Sequence, residues 1–143
     1  MKYVRFKTRK GLVRYGILEE NEKIRALEST PYEDMALTDD YYDVGEVDLI
    51  CPADYSKAIC IGLNYRDHAE EFGLPIPESP VVFMKPSTCQ VGQGENVIYP
   101  KMCSRLDYEA ELAVVIGKKC NMVSQEEALD YVLGYTIAND ITA

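Results

Sequence analysis

Asp107-Tyr108-Glu109-Ala110-Glu111-Leu112-Ala113-Val114-Val115-Ile116 is the stretch on which the fold of this chain turns. Acids alternate with apolar residues and then give way to an unbroken apolar run, the pattern of a strand spanning Leu106 to Ile116. Successive side chains of a strand point to opposite faces. Glu109 and Glu111 therefore share one face, while Tyr108, Ala110, Leu112 and Val114 occupy the other. The two carboxylates lie about 6 to 7 Å apart along the chain and point into the same space. Partly buried, they repel each other unless a cation neutralises them. A hard divalent ion that prefers oxygen ligands, Mg²⁺ or Mn²⁺, meets that need. The alternative is a solvated strand face carrying three acids, Asp107 included.

Downstream, Ser124 with Glu127 three residues later forms a capping box, predicting a helix through Ala128, Leu129 and Val132 that Gly134 stops. Tyr135 to Ile141 returns to strand. Asp140 follows Asn139 in that apolar segment, where an ionised side chain is costly without a partner, so it is the third candidate ligand; an ordinary strand-end turn residue is the competing reading. The sequence then stops at Thr142-Ala143 on an apolar strand with no partner, so the chain reads as cut and is expected to fold poorly alone.

Upstream, Pro80 to Met84 and Val97 to Tyr99 read as strands separated by the Gly-containing loop Lys85 to Asn96. Lys57 to Ile61 is a compact apolar strand stopping at Gly62, and Arg66 to Phe72 has helical composition ended by Gly73-Leu74-Pro75. On that helix His68 and Glu71 are three apart and share a face, whereas Glu70 does not. An imidazole paired with a carboxylate is the composition of a general base able to deprotonate water, and equally of an ordinary surface contact. Lys85, before Pro86, is placed to hold a substrate carboxylate or simply to snorkel from a strand end.

The first 30 residues read as a meander: Tyr3 to Phe6, Leu12 to Leu18, a polar turn at Glu19-Glu20-Asn21-Glu22, then Lys23 to Leu27. From Ala26 to Ser56 there is no Lys or Arg, while acids accumulate without clear periodicity. That stretch is expected to be a solvated face or linker. A boundary near Leu49 to Ala53 then separates a small β domain, 1–53, from a second unit, 54–143.

Composition narrows the chemistry. The 143 residues, 47% apolar and 27% charged with mean hydropathy -0.21, suit a soluble globular protein, and the strands and short helices read above give it a mostly β, α+β class. The net charge of -9 opposes a phosphate backbone and an anionic leaflet alike, which argues against nucleic-acid and membrane partners. Apolar runs are far shorter than the roughly 20 residues of a span, and the N-terminus lacks a secretory signal, so a cytoplasmic location is expected. Cys51, Cys60, Cys89, Cys103 and Cys120 form no CxxC pair and are expected to be reduced and mostly buried. A single histidine, His68, excludes HExxH, three-histidine and two-His-one-carboxylate sites within one chain. Gly117-Lys118 is no P-loop, Gly92-Gln93-Gly94 no dinucleotide fingerprint, and GxSxG is absent. Carboxylate chemistry survives this elimination.

Five segments occur together in order: Gly62-Leu63-Asn64-Tyr65; His68 with Glu71; Pro80-Val81-Val82-Phe83-Met84-Lys85-Pro86; Asp107 to Leu112 with Val115-Ile116-Gly117-Lys118; and Gly134-Tyr135 with Asn139-Asp140. From Lys57 to Ala143 they closely resemble the fumarylacetoacetate hydrolase family, and residues before them resemble the small N-terminal β domain of many bacterial members. The resemblance implies an incomplete mixed β-sandwich roll, roughly the first half of the catalytic domain. Glu109, Glu111 and Asp140 match the family's metal ligands, His68 and Glu71 its water-activating pair, and Lys85 a position near the substrate pocket. It further implies Mg²⁺ or Mn²⁺ as cofactor, a small 2-oxo or 1,3-dicarbonyl acid as substrate, hydrolysis, isomerisation or decarboxylation as in aromatic-compound catabolism, and a homodimer for the full-length protein. The opposing expectation is an inactive fragment, or a metal-binding or interaction module whose surviving face pairs with another chain. Extending the reading frame past Ala143 discriminates between the two.

Overall fold

The computed structural model describes residues 1–143 and is built mostly of β-strands, with a single six-residue α-helix. Two units emerge: Met1–Ala53 together with Val91–Ala143, and Asp54–Gln90.

The first unit opens with a five-stranded antiparallel sheet. Its strands are β1 (Lys2–Thr8), β2 (Val13–Leu18), β3 (Lys23–Leu27), β4 (Leu37–Asp43) and β5 (Val47–Ile50), in the order β4-β3-β2-β1-β5. Gly11 takes the left-handed conformation (φ 81°) that the β1–β2 turn requires. Phe6, Ile24 and Ala26 are buried on one face, surrounded by Val4, Leu18, Tyr42, Val44, Val47 and Leu49. Gly16 lies opposite Ala26, and a Cβ there would come within 2.5 Å of Ile24 Cγ2 and 2.7 Å of the Arg25 carbonyl oxygen, so only glycine fits.

The acidic stretch is a solvated face rather than a linker: its acids are exposed, and it holds β4 and β5. Alternation sends the acids of β4 to both faces, where Asp39, Asp40 and Asp43 meet bases of β2 and β3. Asp40 accepts from Arg14 at 2.6 Å, Asp39 accepts from Arg25 at 3.1 Å, and Asp43 lies 3.8 Å from Lys23. Tyr42 packs on Phe6 with ring centroids 5.1 Å apart, and the Arg25 guanidinium sits 5.5 Å from the Tyr41 ring. An edge strand rich in charge also discourages pairing with other chains.

Within the same unit, the expected strand at Val97–Tyr99 is irregular chain. The predicted helix after Ser124 is reduced to a turn. The Ser124 hydroxyl accepts from the Glu127 N–H and donates to the Glu127 carboxylate, but only one 3₁₀ turn follows, at Ala128–Tyr131. Val132–Asn139 is already strand β9, pairing antiparallel with β8 (Ala110–Ile116). The β-branched and aromatic run Val132 to Ile137 is drawn into that ladder, overriding the local helical signal. None of the five cysteines is buried, contrary to expectation: Cys51, Cys60 and Cys103 are half-buried, Cys89 and Cys120 exposed, and all are free thiols.

The second unit is a hairpin of β6 (Lys57–Gly62) and β7 (Val81–Pro86), with helix α1 (Arg66–Glu71) in the connection. The helix ends as the sequence requires. Gly73 is left-handed (φ 63°), its N–H bonds to the Glu70 carbonyl, and the Leu74 N–H reaches back to Ala69, which together form a Schellman motif.

Candidate functional site

The register of β8 against β9 pairs Ala110 with Asn139 and Glu111 with Ala138. One step outward, Glu109 stands opposite Asp140, whose N–H donates to the Glu109 carbonyl at 2.8 Å. Directly opposed residues project to the same face, as do residues two apart. Glu109, Glu111 and Asp140 therefore share one face of a two-stranded ladder, as the period of two demands for the first pair. All three are half-buried. The other face is apolar and bare, with Leu112 62% and Ile137 86% exposed. A backbone bridge between Asp107 and Thr142, with N–H to carbonyl distances of 2.8 and 3.1 Å, continues the pairing beyond these acids.

This donor set suits a hard divalent cation: three carboxylates, oxygen only, on one face and adjacent across the strands. Their side chains are not gathered into a ready cluster, since no three His, Cys, Asp or Glu side chains converge closely enough to hold a metal ion. The backbone sets the acids side by side, and the carboxylates must turn inward to share an ion.

His68 and Glu71 lie on one face of α1, with His68 Nδ1 3.9 Å from Glu71 Oε2. That separation is too long for a hydrogen bond and allows a charge interaction only when the imidazole is protonated. The imidazole is about one-third exposed, and Phe72 meets it edge-on at 4.9 Å between centroids. Leu63, in the turn before α1, sits at φ 52°, a conformation uncommon for a non-glycine residue. Lys85 is half-buried on β7 opposite Ala58. His68, Glu71 and Lys85 belong to the unit Asp54–Gln90; the three acids belong to the other unit.

Two contacts went unassigned from the sequence. Asn139 Oδ1 accepts the Glu109 N–H at 3.0 Å, and its adjacency to Asp140 was the available signal. Phe72 follows His68 by four residues, a spacing that brings side chains together on a helix.

Comparison with known proteins places these features in a family. Residues 57–143 match the model described as fumarylacetoacetate (FAA) hydrolase C-terminal, and residues 1–52 match Rv2993c-like, N-terminal. A protein of Archaeoglobus fulgidus is 52% identical over 97 residues, covering 68% of this chain and 39% of its own length. Oxaloacetate tautomerase YisK of Bacillus subtilis is 50% identical over 107 residues, covering 71% of this chain and 36% of the relative. The crystal structure of 5-carboxymethyl-2-hydroxymuconate delta-isomerase from Mycobacterium smegmatis superimposes with a TM-score of 0.83 at 32% identity, covering 100% of this chain and 56% of that one. The chain thus spans less than half the length of these two sequence relatives. No helix is long and apolar enough to cross a membrane. With the ordered segments, the mostly β architecture and the match over residues 57–143 in agreement, this chain belongs to the fumarylacetoacetate hydrolase family.

Proposed function

We propose that these residues serve a divalent-metal-dependent enzyme that interconverts or cleaves small 2-oxo or 1,3-dicarbonyl acids, with keto–enol isomerisation the favoured reaction. The observation that carries the proposal is the register placing Glu109 opposite Asp140 and Glu111 on the same face. The names of the tautomerase and the isomerase among its relatives support a small oxo-acid substrate and proton transfer over bond hydrolysis. Glu109, Glu111 and Asp140 would hold Mg²⁺ or Mn²⁺, which when bound supplies Lewis-acid stabilisation of negative charge on a substrate oxygen. His68 accepts and returns the proton, with Glu71 beside it on the same face of α1. Phe72 meets the imidazole edge-on, 4.9 Å between centroids. Lys85 holds a substrate carboxylate by charge. Involvement in aromatic-compound catabolism and assembly as a homodimer belong to the same proposal.

The competing reading, a metal-binding or interaction module without catalysis, is favoured by the bare apolar face of β8–β9. An assay of enol-to-keto conversion of oxaloacetate, made on the full product of the reading frame, separates them. We expect Mg²⁺-stimulated turnover that Glu109→Ala or Glu111→Ala abolishes and that Glu126→Ala, on an exposed residue outside the site, leaves intact. Turnover retained in both ligand variants would overturn the assignment, and no turnover in the wild type would favour the module.

A further inference from the structure

Both members of the opposed acid pair lie one residue outside the regular ladder. Strand β8 begins at Ala110 and β9 ends at Asn139, so Glu109 and Asp140 sit between the regular ladder and the isolated Asp107–Thr142 bridge. Something must hold the Glu109 peptide if its carboxylate is to leave the strand in a fixed direction. Two bonds do so. The Asp140 N–H grips the Glu109 carbonyl at 2.8 Å, and the Glu109 N–H is taken by the side-chain oxygen of Asn139 at 3.0 Å. Asn139 pairs with Ala110, on the bare face of the ladder, so its amide is not one of the cation's donors. It runs along the strand and grips the ligand's own backbone instead.

We propose that Asn139 is a positioning residue of the cation site: by accepting the Glu109 N–H it fixes the peptide from which the Glu109 carboxylate projects toward the ion shared with Asp140 and Glu111. The inference rests on the function proposed above. Groups that orient ligands in this way typically change metal affinity by roughly 10- to 100-fold when removed. Leucine or alanine at 139 removes the acceptor. Aspartate keeps an acceptor oxygen at the same reach.

The test is Mn²⁺ affinity of the full chain, read from the electron paramagnetic resonance of the free ion, together with amide exchange of the peptide covering residues 106–112 by mass spectrometry. Asn139→Ala should weaken Mn²⁺ binding by roughly 10- to 100-fold and speed exchange at Glu109, while exchange across β1 to β3 is unchanged. Asn139→Asp should restore both the protection and the affinity. Should Asn139→Ala fail to fold, a folded Asn139→Asp still decides the matter, because weak binding by that variant overturns the proposal. Wild-type affinity in Asn139→Ala overturns it as well, leaving the functional reading intact. A wild-type chain without measurable Mn²⁺ affinity overturns both together.

Discussion

Single side chains of α1 decide whether the proposed catalytic pair differs from a surface contact. Glu70 and Glu71 are chemically alike and adjacent, yet only Glu71 approaches the imidazole, at 3.9 Å. His68→Ala and Glu71→Gln should each lower turnover by roughly 10²- to 10⁴-fold, the range of a positioned acid or base, and leave Mn²⁺ affinity unchanged. Glu70→Gln should be nearly silent; steady-state kinetics that found it as damaging as Glu71→Gln would remove the shared-face argument. The spacing of His68 and Glu71 was legible because a helix repeats every 3.6 residues whatever surrounds it. The roles of Phe72 and Asn139 were less so: each depends on a rotamer and a neighbour that the backbone period does not specify.

Among the elements, those with internal periodicity were readable and those held by partners were not. The outlines of β1, β2 and β3 followed from the residues alone, whereas β8 begins at Ala110, four residues later than the strand read from Leu106, because the chain before it makes only the isolated Asp107–Thr142 bridge. β4 reads Leu-Thr-Asp-Asp-Tyr-Tyr-Asp and carries no apolar alternation; its acids meet Arg14, Lys23 and Arg25 across the sheet. Exposed pairs of this kind contribute only about 0 to 1 kcal/mol each, so Tyr42 against Phe6 and the backbone ladder carry more of the strand's stability. The capping signal at Ser124 was real as a hydrogen bond and misleading as a helix, since β8 offered the following residues a better partner. Gly16 tests how tightly β2 and β3 are matched. Gly16→Ala forces a methyl into Ile24 and the Arg25 carbonyl, and should destabilise the sheet by about 1 to 3 kcal/mol in urea denaturation. An unchanged midpoint would mean that the two strands are not held in this register.

At the level of the whole molecule, the candidate ligands and the acidic N-terminal sheet are the two concentrations of carboxylates that a cation would meet. The sheet holds more carboxylates, but Asp39, Asp40 and Asp43 already face Arg25, Arg14 and Lys23. Glu109, Glu111 and Asp140 instead share one face of β8–β9, and on the function proposed above an ion between them would relieve their mutual repulsion. The sequence pattern could place Glu109 and Glu111 together, and only the cross-strand register could bring Asp140 to them. A Mn²⁺ titration of the wild-type chain beside Glu109→Ala, Glu111→Ala, Asp140→Ala and Asp39→Ala tests this account most directly. It predicts that each of the first three variants loses most of the affinity and that Asp39→Ala retains it. Equal binding by the wild type and the three ligand variants, or loss in Asp39→Ala alone, would contradict it.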